Sequence, residues 1–192
     1  MKNFFRKVAF GIGPRDEVPS DPLNWALNQV NEIPKLSWQG KIYSEKELRN
    51  HYKEWVYGDR KVLRKKYKDD KTLYKTYKDL LRHETGQKFW GSLEISIRHN
   101  EGINSQQPVL AKLWMFWGNF FAISEKDFLA NYSTGPYQRE IIRPNLNQTF
   151  EKMVYDVTTS WAMIHHLDNS ESAGPKSVTA SQDWRRRKKE PA

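Results

Sequence analysis

Apolar residues recur at helical spacing along most of this chain. In the clearest case, large apolar side chains follow one helix face over four turns, at Phe150, Met153, Val154, Val157, Trp161 and Ile164. No segment shows the alternation of a half-buried strand, and no internal repeat is present. The pattern therefore predicts an all-α fold. We expect an irregular multi-helix domain over residues 1–175, followed by a disordered basic tail over residues 176–192.

Capping residues mark two helix starts in the first third of the chain. Asp21 precedes Pro22, and proline in the first turn after an acidic cap is typical of a helix start. Ser44 and Glu47 form a capping box, in which each side chain accepts a hydrogen bond from the backbone N–H of the other residue. The second helix is predicted to end at Gly58.

Five further helices are predicted after these two, over residues 59–82, 87–99, 108–121, 135–144 and 150–167. The third of them carries an aromatic cluster around Trp114 and Trp117, so we expect it to be the most buried helix. For this cluster, core packing is favoured over a ligand pocket. The Gly135-Pro136 pair marks the start of the following helix, and Pro144 marks its end.

The composition is polar but rich in aromatic residues, with 38% hydrophobic, 29% charged and 14% aromatic residues. Because one large aromatic side chain buries roughly 150–250 Å², aromatic residues are expected to supply much of the core. The chain has no Cys, which excludes disulfides, thiol nucleophiles and thiolate metal sites. Arg6 and Lys7 interrupt the apolar start, and no stretch has the roughly 20 apolar residues of a membrane span. We therefore expect a cytoplasmic protein without a membrane partner.

The net charge of +9 is concentrated in two stretches. Residues 60–82 hold ten basic and three acidic side chains, and residues 185–190 hold five basic and one acidic. Lysines interleaved with tyrosines, as at Lys65, Lys66 and Lys68, are typical of a surface that stacks on bases and neutralises phosphates. A solvated helix face gives the same pattern. We favour the solvated face, because no groove-reading motif accompanies the lysines.

Four motifs follow one another along the chain, at residues 9–14 (AFGIGP), 113–124 (LWMFWGNFFAIS), 137–144 (YQREIIRP) and 167–175 (LDNSESAGP). In this order they resemble the amino-terminal part of the domain of unknown function 1800 family. Trp117 and Asn119 belong to the second motif, and Gly174 and Pro175 end the last, which is the most specific. The resemblance implies a helical fold without an established activity.

The resemblance also implies what this chain lacks. Family members generally continue into a further helical segment, so we expect a truncated chain whose exposed helix faces pack against a missing C-terminal half or a protein partner. Many relatives have histidines where this chain has Gly118, Phe120, Asn145 and Ser160. Chemistry that depends on those histidines is therefore not expected, and we predict no metal site and no cofactor.

Arg139, Glu140 and Arg143 lie one helical turn apart before Pro144 and are the main candidate site residues. With Asp168 and Asn169 they are predicted to form a buried polar network that joins two helices. The alternative is a carboxylate or phosphate site built on the two arginines.

The function that the sequence favours is a packing role, with no assignable activity. One alternative is a basic module that binds nucleic acid or an anionic surface. Another is a part of a hydrolase or metal-dependent enzyme that residues beyond Ala192 complete.

Overall fold

The computed structural model describes residues 2–12, 17–124, 129–169, 172–178 and 180. These residues form helices and no strand, which confirms the all-α prediction. The predicted basic tail lies mostly outside the described residues. The α-helices are α1 (Lys2–Val8), α2 (Pro22–Asn28), α3 (Glu45–Lys53), α4 (Arg60–Lys66), α5 (Lys71–Glu84), α6 (Gln87–Asn104), α7 (Pro108–Phe120), α8 (Ala130–Pro136), α9 (Phe150–Thr159) and α10 (Trp161–His166). Two π-helical segments, Glu54–Asp59 and Tyr137–Ile142, and a 3-10 helix, Arg143–Asn147, continue these helices.

Aromatic side chains build the core, as the composition predicts. Trp114 and Tyr137 lie in one cluster with Met153 and Val157, where α7 meets the π-helical segment Tyr137–Ile142 and α9. A second cluster joins α3, α6 and α8 through large rings and one leucine, at Leu48, Trp55, Trp90 and Tyr132. A third, smaller cluster lies between α1, α2 and α7. The large rings compensate for the small number of aliphatic residues.

The most buried stretch is not α7, as predicted, but α8 with the π-helical segment Tyr137–Ile142. Its predicted start at Gly135-Pro136 is also wrong, because the helix begins at Ala130 and continues through both residues. Gly135 is needed there for a close approach, since a Cβ at this position would collide with the Glu94 carboxylate of α6. The glycine that suggested a helix start is thus a packing residue between two helices.

The predicted stop at Gly58 is wrong as well. The backbone stays helical from α3 through the π-helical segment Glu54–Asp59 into α4, and Gly58 lacks the positive φ of a helix-ending glycine.

Two predicted long helices are interrupted. The helix over residues 59–82 breaks at Tyr67. Asp70 then caps α5, since its Oδ1 accepts a hydrogen bond of 2.9 Å from Leu73 N. The helix over residues 150–167 breaks at Ser160, which adopts an extended backbone and caps α10 through a 3.2 Å bond from Met163 N to its Oγ. In both places a capping side chain within the apolar pattern starts a new helix.

Candidate functional site

Arg139 lies within the π-helical segment and pairs with Glu94 of α6. Arg139 Nε lies 2.8 Å from Glu94 Oε2, and Arg139 Nη2 lies 2.9 Å from Glu94 Oε1. Both side chains are buried. Arg139 Nη2 also donates to the Tyr43 carbonyl at 2.7 Å. The guanidinium is therefore held by a two-point ion pair and a backbone acceptor, the geometry that arginine favours with carboxylates.

Arg143 and Glu101 form a second buried pair at an Nη2–Oε1 distance of 3.3 Å. Arg143 Nη1 donates to the Pro34 carbonyl at 2.7 Å, and Glu101 Oε2 accepts bonds of 2.8 Å from the N–H and the hydroxyl of Ser37. Burial lowers the pKa of Arg143, and the neighbouring Glu101 carboxylate opposes that shift. The second pair thus fastens the loop after α2 to α6.

We call the two buried ion pairs, Arg139–Glu94 and Arg143–Glu101, the ladder. Its carboxylates lie two turns apart on α6, and its arginines lie on the segment that continues α8. Because each arginine is neutralised by a buried glutamate, the ladder offers no free anion site. The predicted phosphate or carboxylate site on these two arginines is therefore not formed.

The structure places both arginines in buried ion pairs, but with acids other than those of the predicted network. Glu140 Oε1 lies 3.3 Å from Arg139 Nη1, on the exposed side, where burial raises the pKa of Glu140 against the lowering effect of Arg139. Asp168 and Asn169 are exposed at the end of α10, where Asp168 has a φ of 57°. The buried acids are instead Glu94 and Glu101.

Sequence reasoning missed these two glutamates, although a signal for them exists. They lie on the same stripe of α6 as its buried residues Gln87, Trp90, Gly91 and Ile97. Charged side chains on the buried face of a helix need partners, so two glutamates seven residues apart on that face indicate two buried cations.

A small cavity lies beside the Arg139–Glu94 pair, between α6, α7 and α8. Its volume is about 50 Å³, and its walls are formed by Gly91, Glu94, Ile95, Arg98, Trp114, Asn131, Thr134, Gly135, Gln138 and Arg139. Arg98 Nη2 donates to Asn119 Oδ1 at 3.1 Å. Burial lowers the pKa of the Arg98 guanidinium. Asn119 of the family motif therefore orients a cation at the wall of this cavity.

Three of the positions at which the resemblance implies histidines in relatives have structural roles in this chain. Gly118 is buried, and a Cβ there would collide with the Gln138 amide. Asn145 Nδ2 donates to Ile141 O at 2.9 Å and to Asp156 Oδ2 at 2.8 Å. With Ser160 as the cap of α10, these residues contribute to the packing and capping of the helices.

The other family-motif residues lie apart from the ladder. Trp117 is part of an aromatic cluster with Phe120, Phe121 and Phe150, at the edge of the core. Gly174 and Pro175 are exposed.

An apolar groove runs between α1, α2 and α7 and has a volume of about 520 Å³. Its lining side chains are Phe4, Lys7, Val8, Leu23, Ala26, Leu27, Val30, Val109, Lys112, Leu113 and Phe116. Leu23, Leu27 and Phe116 are each more than half exposed, at 62%, 55% and 56%. Among the described lining residues the charged ones are Lys7 and Lys112, and none is acidic. Lys112 Nζ donates to the carbonyls of Arg6 and Ala9, which fixes its ammonium group at the end of α1.

The basic hairpin of α4 and α5 presents Lys65, Lys66 and Lys68 to solvent. Tyr67 and Tyr77 stack on each other with ring centroids 4.9 Å apart, so each ring has one face covered by the other. None of the residues of α5 is fully buried.

No group of three or more His, Cys, Asp or Glu side chains is arranged to hold a metal ion in the part of the chain that the structure describes. Within the same residues, no helix combines the length and apolar character needed to cross a bilayer. His166 Nδ1 accepts a bond of 3.2 Å from Ser124 N at the end of α10.

The family comparison agrees with the motifs. The family model described as "Protein of unknown function (DUF1800)" matches residues 4–181. No curated protein and no solved structure matches the chain significantly. Because the match covers most of the chain, the protein belongs to the DUF1800 family of proteins of unknown function.

Proposed function

We propose that this protein is a rigid helical docking module that binds an acidic amphipathic helix in the groove between α1, α2 and α7. The observation that carries the proposal is the contiguous exposure of Leu23, Leu27 and Phe116 along one groove. Scattered exposed apolar residues are normal on a protein surface, but a contiguous apolar groove is typical of an interaction site.

The shape of the groove favours a helix as its occupant. Leu23 and Leu27 lie one turn apart on α2, Val30 follows in the turn after the helix, and Leu113 and Phe116 line the groove from α7. A helix laid between two such rows buries its own apolar side chains at positions i, i+3, i+4 and i+7, the usual mode of helix-in-groove recognition.

The charge of the groove favours an acidic occupant. The two charged residues in its described lining are lysines, and α1, which forms one wall, carries basic residues and no acidic one. Glutamates on the flanks of a bound helix would therefore meet positive charge on this side. Such complementarity speeds association and selects the partner more than it raises affinity.

The ladder supports the same function, because a preformed groove needs a scaffold that does not rearrange. It fixes α6 to the segment after α8 through buried charges, and α7 packs against both. A groove held in one shape loses little entropy on binding.

Titration of a labelled helical peptide by fluorescence anisotropy tests the proposal. One peptide carries leucines at i, i+4 and i+7 with flanking glutamates, and a second carries lysines in place of the glutamates. The acidic peptide is expected to bind more tightly, and added salt is expected to narrow the difference. Equal binding of the two peptides would contradict the proposed charge recognition.

A matched pair of variants places the binding site. Leu27→Glu introduces a charge in the groove, and Leu80→Glu introduces the same charge on α5 at a similarly exposed leucine, 50% against 55%. We expect Leu27→Glu to weaken acidic-peptide binding at least about tenfold and Leu80→Glu to leave it nearly unchanged. The reverse order would locate binding on the basic hairpin instead.

A further inference from the structure

Arg98 at the cavity beside the ladder is a cation without a paired carboxylate among the described residues. Its hydrogen-bond partner there is the neutral Asn119 amide, at 3.1 Å. The adjacent Glu94 uses both carboxylate oxygens on Arg139. In the part of the lining that the structure describes, the charged groups are thus one neutralised pair and one additional arginine.

The cavity is separate from the apolar groove and differs from it in chemistry. A volume of about 50 Å³ has room for a few water molecules, or for a group of about four non-hydrogen atoms. Ile95 and Trp114 are the large apolar residues of the described lining. A small planar anion with a short apolar part fits both the size and the lining.

Backbone and side-chain contacts fix the walls. Trp114 Nε1 donates to the Gln138 carbonyl at 2.7 Å, and Gln138 Nε2 donates to the Gly118 carbonyl at 3.2 Å. Gly91 and Gly135 bring α6 and α8 close together, and a Cβ at either glycine would press on Asn131 or on Glu94. The bond from Arg98 to Asn119 leaves the remaining guanidinium N–H groups for a ligand.

We propose that this cavity binds a carboxylate group, either that of a small free acid or that of a glutamate side chain on a polypeptide, with Arg98 as its cation. Two N–H groups of a guanidinium match the two oxygens of a carboxylate, which is why arginine selects this planar group over a spherical anion. The short alkyl part of the ligand contacts Ile95 and Trp114.

The indole N–H of Trp114 is a built-in reporter, because Trp114 lines the cavity and is otherwise buried. Its resonance in a ¹H–¹⁵N spectrum is assigned as the indole signal that a Trp114→Phe variant lacks. Sodium acetate and sodium propionate are then added at constant ionic strength, with acetamide as the neutral control of the same shape. We expect a saturable shift with either acid and none with acetamide.

A second compound, N-acetyl-glutamate methylamide, presents the carboxylate on a side chain. Its comparison with acetate distinguishes a polypeptide glutamate from a small free acid as the natural ligand. Saturation by acetate at lower concentration indicates a small acid, and saturation by the glutamate derivative at lower concentration indicates a polypeptide. Both results support the site. The proposal is overturned if acetamide shifts the Trp114 signal as much as acetate, or if no added compound shifts it.

Substitutions of Arg98 supply the second test of carboxylate binding. Arg98→Met is expected to reduce acetate affinity at least about tenfold, and Arg98→Lys is expected to retain part of it. Arg64→Met, on an exposed position of α4, removes the same charge at another place and should leave the affinity unchanged. An Arg98→Met protein that melts like the original and binds acetate equally well contradicts the proposal.

Discussion

Arg139 and Glu94, 45 residues apart in the sequence, lie against each other in the interior with two N–O distances of 2.8 and 2.9 Å. Arg139 comes from a π-helical segment, in which the wider turn changes the direction of the side chains that follow. Such segments are frequent at functional sites. Here the segment carries Arg139 of the ladder and Gln138, which lines the cavity.

Breaking this pair on one side is expected to destabilise the protein strongly. Arg139→Met leaves the Glu94 carboxylate buried without its cation, a change that typically costs about 3–5 kcal/mol of unfolding free energy. For a chain of this size, a loss of 1 kcal/mol lowers the melting temperature by roughly 2–4 °C. Thermal unfolding followed by circular dichroism measures the effect.

The matched control for this prediction is an ion pair on the surface. Lys152→Met removes the partner of Asp156, 2.7 Å away on α9, and should lower the melting temperature much less. A double variant, Glu94→Leu with Arg139→Met, should recover part of the loss, since both buried charges are then absent. Single variants whose effects add in the double variant would show that the two residues do not interact.

Gly135 is predicted to resist any larger side chain. The Cβ of alanine would overlap the Glu94 carboxylate of α6, and this forces either the helix or the ion pair to move. We expect Gly135→Ala to cost about 1–3 kcal/mol of unfolding free energy, measured by chemical denaturation. Gly58→Ala is the control, because no heavy atom lies within 4 Å of the added Cβ. Alanine in place of a helical glycine with open space around it should raise the free energy of unfolding by roughly 0.4–1 kcal/mol.

The ionised carboxylate of Glu47 stabilises the folded protein, and this stabilisation is lost in acid. Bonds from the backbone and hydroxyl of Ser44, and the Lys41 ammonium at 2.9 Å, lower the pKa of Glu47 to about 2 from an ordinary 4.5. Because the folded pKa lies below the unfolded one, the stabilisation is complete above about pH 4.5 and is lost as the pH falls through 2.

Comparison with Glu47→Gln measures this contribution. The original protein is expected to melt at a higher temperature than the variant at pH 7, and the difference should shrink between pH 4.5 and 2. Glu32→Gln removes the same charge at an exposed position outside the helices and should show no such convergence. A difference that stays constant down to pH 2 would contradict the assignment.

Local signals predicted the helices well where the capping side chain and the apolar pattern agree. Ser44 and Glu47 form the predicted capping box, and Asp21 caps α2 through a 3.0 Å bond from Asn24 N. The sequence failed where the two signals conflict. Ser160 and Asp70 cap new helices inside apolar patterns that continue past them, so the pattern suggested one helix instead of two.

The ladder was not predictable from local signals, because its partners are distant in the sequence. Arg139 and Arg143 were identified as a buried pair of cations, but nothing close to them along the chain indicates α6. The predicted network instead includes Asp168, which is exposed at the end of α10. Only the packing of α6 against α8 brings Glu94 and Glu101 to the arginines.

The basic hairpin is expected to contribute little to nucleic-acid binding. Changing Lys65, Lys66 and Lys68 to Glu should leave any affinity for single-stranded DNA unchanged, whereas deleting residues 176–192, which hold the basic run, should remove it. Each neutralised phosphate contributes about −0.7 to the slope of log K against log salt, so fluorescence titrations at several salt concentrations count the contacts. Binding that survives the deletion and is lost with the lysine changes would assign the site to the hairpin.

Chemical-shift mapping of the acidic peptide on the ¹⁵N-labelled protein tests the docking function most directly. We expect the amide resonances of α1, α2 and α7 around Leu23, Leu27 and Phe116 to shift together and to saturate at one peptide concentration. The amide resonances of α4 and α5 should not shift. Shifts that concentrate on α4 and α5, or that spread over the whole protein without saturation, would contradict it.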